Sequence, residues 1–148
     1  MAGESFENLV KRLGGEILEL GAPVKTVEQA SKAAGADPGQ IIKSMLLISE
    51  KEGAILAIVD GRSRVDLEKL SLRFGRTRLA SPREVKELTG YEVGELPPIG
   101  LPVKTLIDPK VLEKDYVIGG GGAIDKLIKI DPKKILEVQK AEIVNISR

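Results

Sequence analysis

Six aliphatic runs, none longer than eight residues, alternate along this chain with segments that carry helix-capping residues. Runs this short are typical of strands, because a helix that packs on a core needs about ten residues or more with a period near 3.6. The runs span residues 41–48, 54–59, 103–107, 116–118, 127–130 and 143–146. The sequence therefore predicts short strands that are separated by short helices.

Helix boundaries are marked by capping pairs. Thr26 with Gln29 three residues later has the capping-box pattern, and Ser81 with Glu84 repeats it; a glycine follows each segment. Two further helices are predicted for residues 66–74 and for the segment from residue 131 onward. Another is predicted for residues 5–20, where apolar residues recur every three or four positions across a Gly-Gly pair.

These elements predict one α/β domain over residues 1–148. The loop at residues 50–53 is short enough to join the first two strands as an antiparallel hairpin. Only four residues are aromatic, so the core must be built from aliphatic side chains. We expect a single domain in which a curved, mixed, mostly antiparallel and barrel-like sheet is surrounded by short helices.

The chain contains no histidine and no cysteine. Their absence excludes a Ser-His-Asp triad, a thiolate nucleophile and a metal site made of imidazole or thiolate ligands. The acidic residues are scattered among different turns and show no calcium-loop spacing. We therefore expect neither a metal nor a cofactor.

No apolar run approaches the roughly 20 residues that span a bilayer. Residues 1–7 also lack a basic region followed by an apolar stretch, so we expect a soluble, cytoplasmic protein with no membrane partner. The net charge of +1 gives no broad basic field, but six arginines fall within residues 62–83. That cluster fits either a solvated face or local phosphate contacts.

Lys43 interrupts an aliphatic run that otherwise indicates a strand buried on both faces. Burying an ammonium without a partner is costly, so this lysine either extends from a strand end or opens into a polar cleft. The sequence leaves both interpretations open.

The segment 90–100 is rich in glycine and proline. These residues fix an unusual backbone path, which serves either as a rigid pocket wall or as a plain connector.

Four consecutive glycines, residues 119–122, follow a predicted strand. Residues without side chains leave backbone N–H groups accessible to an anion or a developing oxyanion, although a flexible hairpin is an equally simple interpretation. Asp125 lies just beyond, either as an exposed turn residue or as a group that positions a water or an amine.

The order of these features resembles the YbaK/ProX-type aminoacyl-tRNA deacylases, whose domain also occurs as the editing insertion of bacterial prolyl-tRNA synthetases. The likeness rests on Thr-Val-Glu-Gln-Ala at 26–30, Gln-Ile-Ile-Lys-Ser-Met-Leu-Leu at 40–47, the loop at 91–100 and the glycine-rich strand end. It extends over about residues 22–135. The resemblance implies an editing hydrolase that acts on the acceptor end of mischarged tRNA.

The resemblance also implies site residues. The pocket lysine of the family, which contacts the terminal adenosine, falls on Lys43, and the Gly-x-x-x-Pro loop falls on Gly94 and Pro98, with Gly100 in step. The expected catalytic residues are Lys43, Gly94, Pro98, Gly120, Gly121 and Asp125; the expected substrate-binding residues are Lys43, Ser44, Gly94, Pro98, Gly100, Gly119 and Gly120.

This chain departs from the family at several points. Glu95 and Pro97 occupy the second and fourth places of the loop, and Ile118 or Gly119 stands where cysteine-specific relatives often carry a serine. The synthetase-embedded versions use a histidine that is absent here. These departures leave the edited amino acid open.

The expected mechanism is non-covalent, because an aminoacyl ester needs a positioned water and oxyanion donors more than a nucleophile. The expected substrate is prolyl-tRNA charged with a small wrong amino acid such as alanine or cysteine. An aminoacyl-tRNA synthetase is a second expected partner, and the oligomeric state is left open. A non-catalytic tRNA- or nucleotide-binding module and a protein-interaction domain remain alternatives.

Overall fold

The computed structural model describes residues 4–148, so the first three residues of the predicted domain lie outside the described part of the chain. The helices are α1 (Phe6–Arg12), α2 (Val27–Ala34), α3 (Leu67–Phe74), α4 (Pro82–Thr89), α5 (Pro109–Leu112) and α6 (Pro132–Val138), with a 3-10 turn at Pro38–Gln40. The strands are β1 (Glu16–Glu19), β2 (Ile42–Ser49), β3 (Gly53–Asp60), β4 (Thr77–Leu79), β5 (Lys104–Ile107), β6 (Val117–Gly120), β7 (Lys126–Ile130) and β8 (Glu142–Ile143).

The predicted helix caps are present. The Thr26 hydroxyl accepts from the N–H of Gln29 at 3.0 Å, which starts α2, but the Gln29 side chain accepts from the Lys25 N–H at 2.8 Å, so only half of the predicted capping box forms there. At α4, Ser81 Oγ accepts from the Glu84 N–H at 3.2 Å, while Glu84 Oε1 accepts from the Ser81 N–H at 2.8 Å. Local hydrogen bonding therefore fixes where both helices begin.

The predicted helix over residues 5–20 is wrong in its second half. α1 ends at Arg12, Gly14 adopts φ 74°, and residues 16–19 form β1, which pairs antiparallel with β7. A Cβ at Gly15 would lie 3.1 Å from the Lys129 carbonyl, so the glycine pair lets the chain turn tightly onto β7. Pairing with β7 outweighs the helical spacing of the apolar residues.

The strands form two sheets rather than one. The larger has the order β4-β2-β3-β5-β8 and mixes antiparallel and parallel pairs; the smaller, β1-β7-β6, is antiparallel. A single parallel bridge, Ile41 with Ile118, joins them. Among the described residues neither sheet closes on itself, so the barrel-like part of the prediction is not confirmed; the outermost strands of the larger sheet pair with it over only three and two residues.

Both sheets contribute side chains to the main core. Its buried side chains include Leu56 and Ile58 of the larger sheet and Ile128 and Ile130 of the smaller one. A second cluster lies beneath α3 on the opposite face of the larger sheet, and a third lies between α2 and the smaller sheet. The third cluster contains both residues of the bridge, so α2 covers the place where the two sheets meet.

Candidate active site

A cleft of ≈ 250 Å³ opens beside this junction. Its walls are the first half of β2, the N-terminal turn of α2, the loop that follows α4 and the end of β6. Among the predicted site residues, it brings together Lys43, Ser44, Gly94, Gly119 and Gly120.

Lys43 lines this cleft as a partly exposed residue of β2. It pairs in register with Val59 of β3, one residue from the start of the strand. Within residues 4–148 no carboxylate lies within salt-bridge distance of its ammonium. Of the two sequence-based interpretations, the structure therefore supports a lysine that opens into a cleft.

Ser44 combines an unused hydroxyl with an open backbone edge. Its Oγ is buried and has no hydrogen-bond partner in the described part of the chain. The Gly61 N–H donates to the Ile41 carbonyl at 2.8 Å, so by antiparallel alternation the N–H and C=O of Ser44 point away from β3. On its other side, β2 pairs with β4 only at residues 47–49. Continuing that register to Ser44 reaches Pro82, which belongs to α4 and is therefore not a strand partner.

The predicted site residues of the loop after α4 differ in exposure. Gly94 lines the cleft with φ 94°, and a Cβ there would meet no atom within 4 Å. Pro98 is buried behind the cleft, where its Cγ lies 3.4 Å from the position of a Cβ on Gly119. Gly100, with φ 78°, lies against Leu9 and does not line the cleft.

The four glycines differ in what their N–H groups bind. The Gly121 N–H donates to the Lys126 carbonyl at 3.1 Å, and the Gly122 N–H donates to the Glu95 carbonyl at 3.0 Å. Alternation along the β6–β7 ladder directs the Gly119 N–H to β7 as well and directs the Gly120 N–H away from it. Among the four glycines, only Gly120 therefore directs its N–H away from these partners, and it lines the cleft.

The glycines are also required by close packing. A Cβ on Gly120 would lie 2.3 Å from the Leu96 carbonyl oxygen, and one on Gly121 would lie 2.6 Å from the Lys126 carbonyl carbon. Gly121 lines a different cavity, of ≈ 310 Å³, with Phe6 and Tyr91. It thus does not join the other predicted residues at the cleft.

Asp125 also lies away from the cleft lining. It is half-buried in the turn between β6 and β7, where its backbone carbonyl accepts from the Leu20 N–H at 3.0 Å. This contact holds the chain after β1 against the turn. It gives the Asp125 backbone a structural role that the sequence did not indicate.

Sequence reasoning missed part of the cleft wall. Lys25, Thr26 and Val27 line it from the start of α2, and Met45 lines it from β2. The capping pair at Thr26 did locate this helix terminus. No sequence pattern, however, showed that α2 would lie over the start of β2.

Within residues 4–148 no group of three or more histidine, cysteine, aspartate or glutamate side chains is placed to hold a metal ion. The same residues include no helix that is long and apolar enough to cross a membrane.

The fold and the cleft define a mixed α/β domain with a cleft that is lined by a lysine, a serine with an unpaired hydroxyl, and glycines. The family model for the aminoacyl-tRNA editing domain matches residues 21–138. The chain belongs to this family.

Individual relatives agree with that assignment. The chain is 32% identical over 129 residues to the multifunctional Ser/Thr-tRNA deacylase ProXp-y of Escherichia coli (strain K12), covering 82% of this chain and 77% of that protein. It is 36% identical over 100 residues to the proline–tRNA ligase of Thermotoga maritima, covering 66% of this chain and only 17% of the ligase. A solved structure of a proposed trans-editing enzyme for prolyl tRNA synthetase superposes with a TM-score of 0.86 at 32% identity, covering 99% of both chains.

Proposed function

We propose that this chain hydrolyses the ester bond of mischarged tRNA in trans and releases a small, wrongly attached amino acid. The observation that carries the proposal is the convergence of Lys43, the backbone of Ser44 and the Gly120 amide on one small cleft. Family membership supports the reaction class, and the coverage of nearly all of a freestanding relative supports action in trans.

Two backbone N–H groups are suited to stabilise the oxyanion that forms when water attacks the ester carbonyl. The Gly120 amide points away from β7, and the Ser44 amide lies at the open edge of β2; both residues line the cleft. Fixed dipoles of this kind need no reorganisation during the reaction, which makes them effective in a partly enclosed site. The Gly121 amide is excluded from this role because its N–H already donates to the Lys126 carbonyl.

Lys43 would bind the phosphate or ribose of the terminal nucleotide. Its charge is not neutralised by a carboxylate within the described residues, so an anionic ligand meets a free ammonium. As the resemblance to the family implies, the ribose hydroxyl next to the ester would assist the attacking water; the chain itself offers no histidine as a base. Bond cleavage leaves a free amino acid and a free ribose hydroxyl.

The opposite wall of the cleft is apolar. Val27, Ala30 and Leu127 line it, and together with Met45 they leave room for a small side chain. A site of this kind selects by exclusion, because a missing methylene in an apolar pocket changes binding by only about 10- to 200-fold. Prolyl-tRNA that carries alanine or cysteine is the substrate we propose, with a synthetase that makes this error as the functional partner.

A panel of tRNAs charged with alanine, cysteine, serine or threonine tests this proposal. We expect release of free amino acid from at least one of them, above the rate without protein. A gel shift with no release would instead identify a non-catalytic tRNA-binding module. If the protein shows no release and no binding, both the hydrolase and the binding module are contradicted.

A further inference from the structure

The turn between β3 and α3 lies directly beside the cleft. The Gly61 N–H donates to the carbonyl of Ile41, which lines the cleft, at 2.8 Å. A Cβ on Gly61 would lie 2.9 Å from that carbonyl oxygen and 3.1 Å from Cγ2 of Val27, another cleft residue. A ligand strand that leaves the cleft past the start of α2 would therefore pass this turn.

Arginines are exposed on the turn and are poorly neutralised. Arg62 has one carboxylate partner, Asp37, at 3.8 Å, and the two side chains are 64% and 73% exposed, so this pair contributes little. Arg64 lies opposite Arg148, whose N–H donates to the Arg64 carbonyl at 2.8 Å. Like charges placed opposite each other are unfavourable, and within residues 4–148 neither of these two has a carboxylate within 4.0 Å.

Other arginines of the same sequence cluster behave differently. Arg78 binds Glu84 at 2.7 Å, Arg83 binds Glu87 at 2.9 Å, and Arg73 binds Glu142. Three arginines of the cluster are therefore paired, whereas the two on the turn beside the cleft have a weak partner or none, and Arg76, which also lacks a salt bridge, lies elsewhere. Acids near this turn are engaged with backbone donors: Asp60 Oδ1 accepts from the Arg62 N–H at 2.7 Å, and Asp37 Oδ1 accepts from the Gly39 N–H at 2.8 Å.

We infer that the turn bearing Arg62 and Arg64 binds the phosphates of the nucleotides that precede the terminal adenosine of the tRNA. The inference rests on the proposed function, which places that adenosine beside Lys43. Guanidinium groups bind phosphate through paired hydrogen bonds, and Arg62 and Arg64 add exposed positive charge on a turn that contacts a cleft already lined by Lys25 and Lys43. The occupant is thus a single RNA strand that is held by its backbone and not read by its bases.

The test is the double substitution Arg62→Gln with Arg64→Gln, compared with Arg76→Gln. Arg76 is an exposed arginine of the same cluster, also without a salt bridge, and lies beside Glu50 at the far end of β2. Each variant is assayed on an aminoacylated acceptor-stem minihelix and on aminoacyl-adenosine, which has no preceding phosphates. Binding of the uncharged minihelix is measured separately by fluorescence anisotropy, and folding by thermal melting.

We expect the double variant to raise KM and Kd for the minihelix by about tenfold, with kcat preserved, and to make the dependence of Kd on salt less steep. Arg76→Gln should match the wild type. Unchanged minihelix binding by the double variant, or an equal effect of Arg76→Gln, would overturn the inference. An equal loss on aminoacyl-adenosine would also overturn it, since it would mean that the arginines support the cleft itself. If the wild type hydrolyses neither substrate, the proposed function fails, while the anisotropy measurement still decides whether the turn binds RNA.

Discussion

Replacing Gly120 with alanine should damage both the fold and the site, whereas Gly94→Ala should damage mainly the site. The added Cβ at Gly120 would lie 2.3 Å from the Leu96 carbonyl oxygen and 2.9 Å from its carbon. Ordinary carbon–oxygen contacts are more than 3 Å, so the loop must move by close to 1 Å. Overpacking of this kind costs about 1–3 kcal/mol, and backbone is harder to displace than a side chain.

Gly94 provides the comparison. A Cβ there meets no atom within 4 Å, and the only cost is the left-handed φ of 94°, about 1–2 kcal/mol. We expect urea denaturation to show a larger fall in the midpoint for Gly120→Ala than for Gly94→Ala. Deacylation should fall in both variants, because the first displaces a proposed oxyanion donor and the second adds a methyl group to the cleft wall.

The result for Gly120→Ala decides between two roles of the glycine stretch. If the variant has a wild-type midpoint and full activity, the packing of the loop on β6 and the proposed donor are both wrong. If it has a wild-type midpoint but no activity, the glycine serves the site and not the packing.

Three further predictions concern charge and metals. Lys43→Ala should lower kcat/KM by at least about tenfold, roughly 1.4 kcal/mol, while Lys51→Ala, in the hairpin at the other end of β2, should have no effect; equal rates for the two variants would remove Lys43 from the site. Asp108→Asn should lower the free energy of unfolding by about 2–3 kcal/mol in a urea titration, because the buried carboxylate accepts from the backbone N–H groups of Ile146 and Ser147, both at 3.1 Å. Burial acts to raise the pKa of Asp108, but these hydrogen bonds and one from the Lys110 N–H outweigh it and leave the pKa below its ordinary value. The stabilisation is therefore present at neutral pH and is lost as the pH falls below about 4. An Asn variant with the same acid sensitivity as the wild type would contradict this. Hydrolysis of an aminoacylated minihelix should persist in EDTA, and activity that returns only with one particular divalent ion would refute the metal-free mechanism.

The sequence was sufficient for several features that depend on neighbouring residues, although it missed the short helix α5, which the Asp108 side chain caps. The caps at Thr26 and Ser81 and the hairpin between β2 and β3 were all predicted, because their hydrogen bonds join residues close in the chain. β1 was missed, since residues 16–20 fit a helical period as well as a strand and only pairing with β7 decides between them.

The candidate site was predictable only in part. Lys43 stood out as a charge in an apolar run, and the structure places it in the cleft. The sequence assigned catalytic roles to Gly120 and Gly121 together, although strand register directs the Gly120 N–H away from β7 and ties the Gly121 N–H to Lys126. Register arises from tertiary pairing, so a glycine count could not separate them.

The single bridge between the two sheets has a consequence for how the protein responds to distant changes. The proposed donors, Ser44 and Gly120, belong to different sheets, so no local turn fixes the distance between them. That distance is set where the two sheets meet, at the Ile41–Ile118 bridge, which lies three residues before Ser44 and two before Gly120. A shift of about 1 Å in catalytic geometry can cost a hundredfold in rate, whereas the same shift barely changes the buried area. Turnover should therefore be a sensitive measure of this junction: a conservative substitution at the bridge, such as Ile118→Val, should lower the rate even at temperatures where the variant is still fully folded.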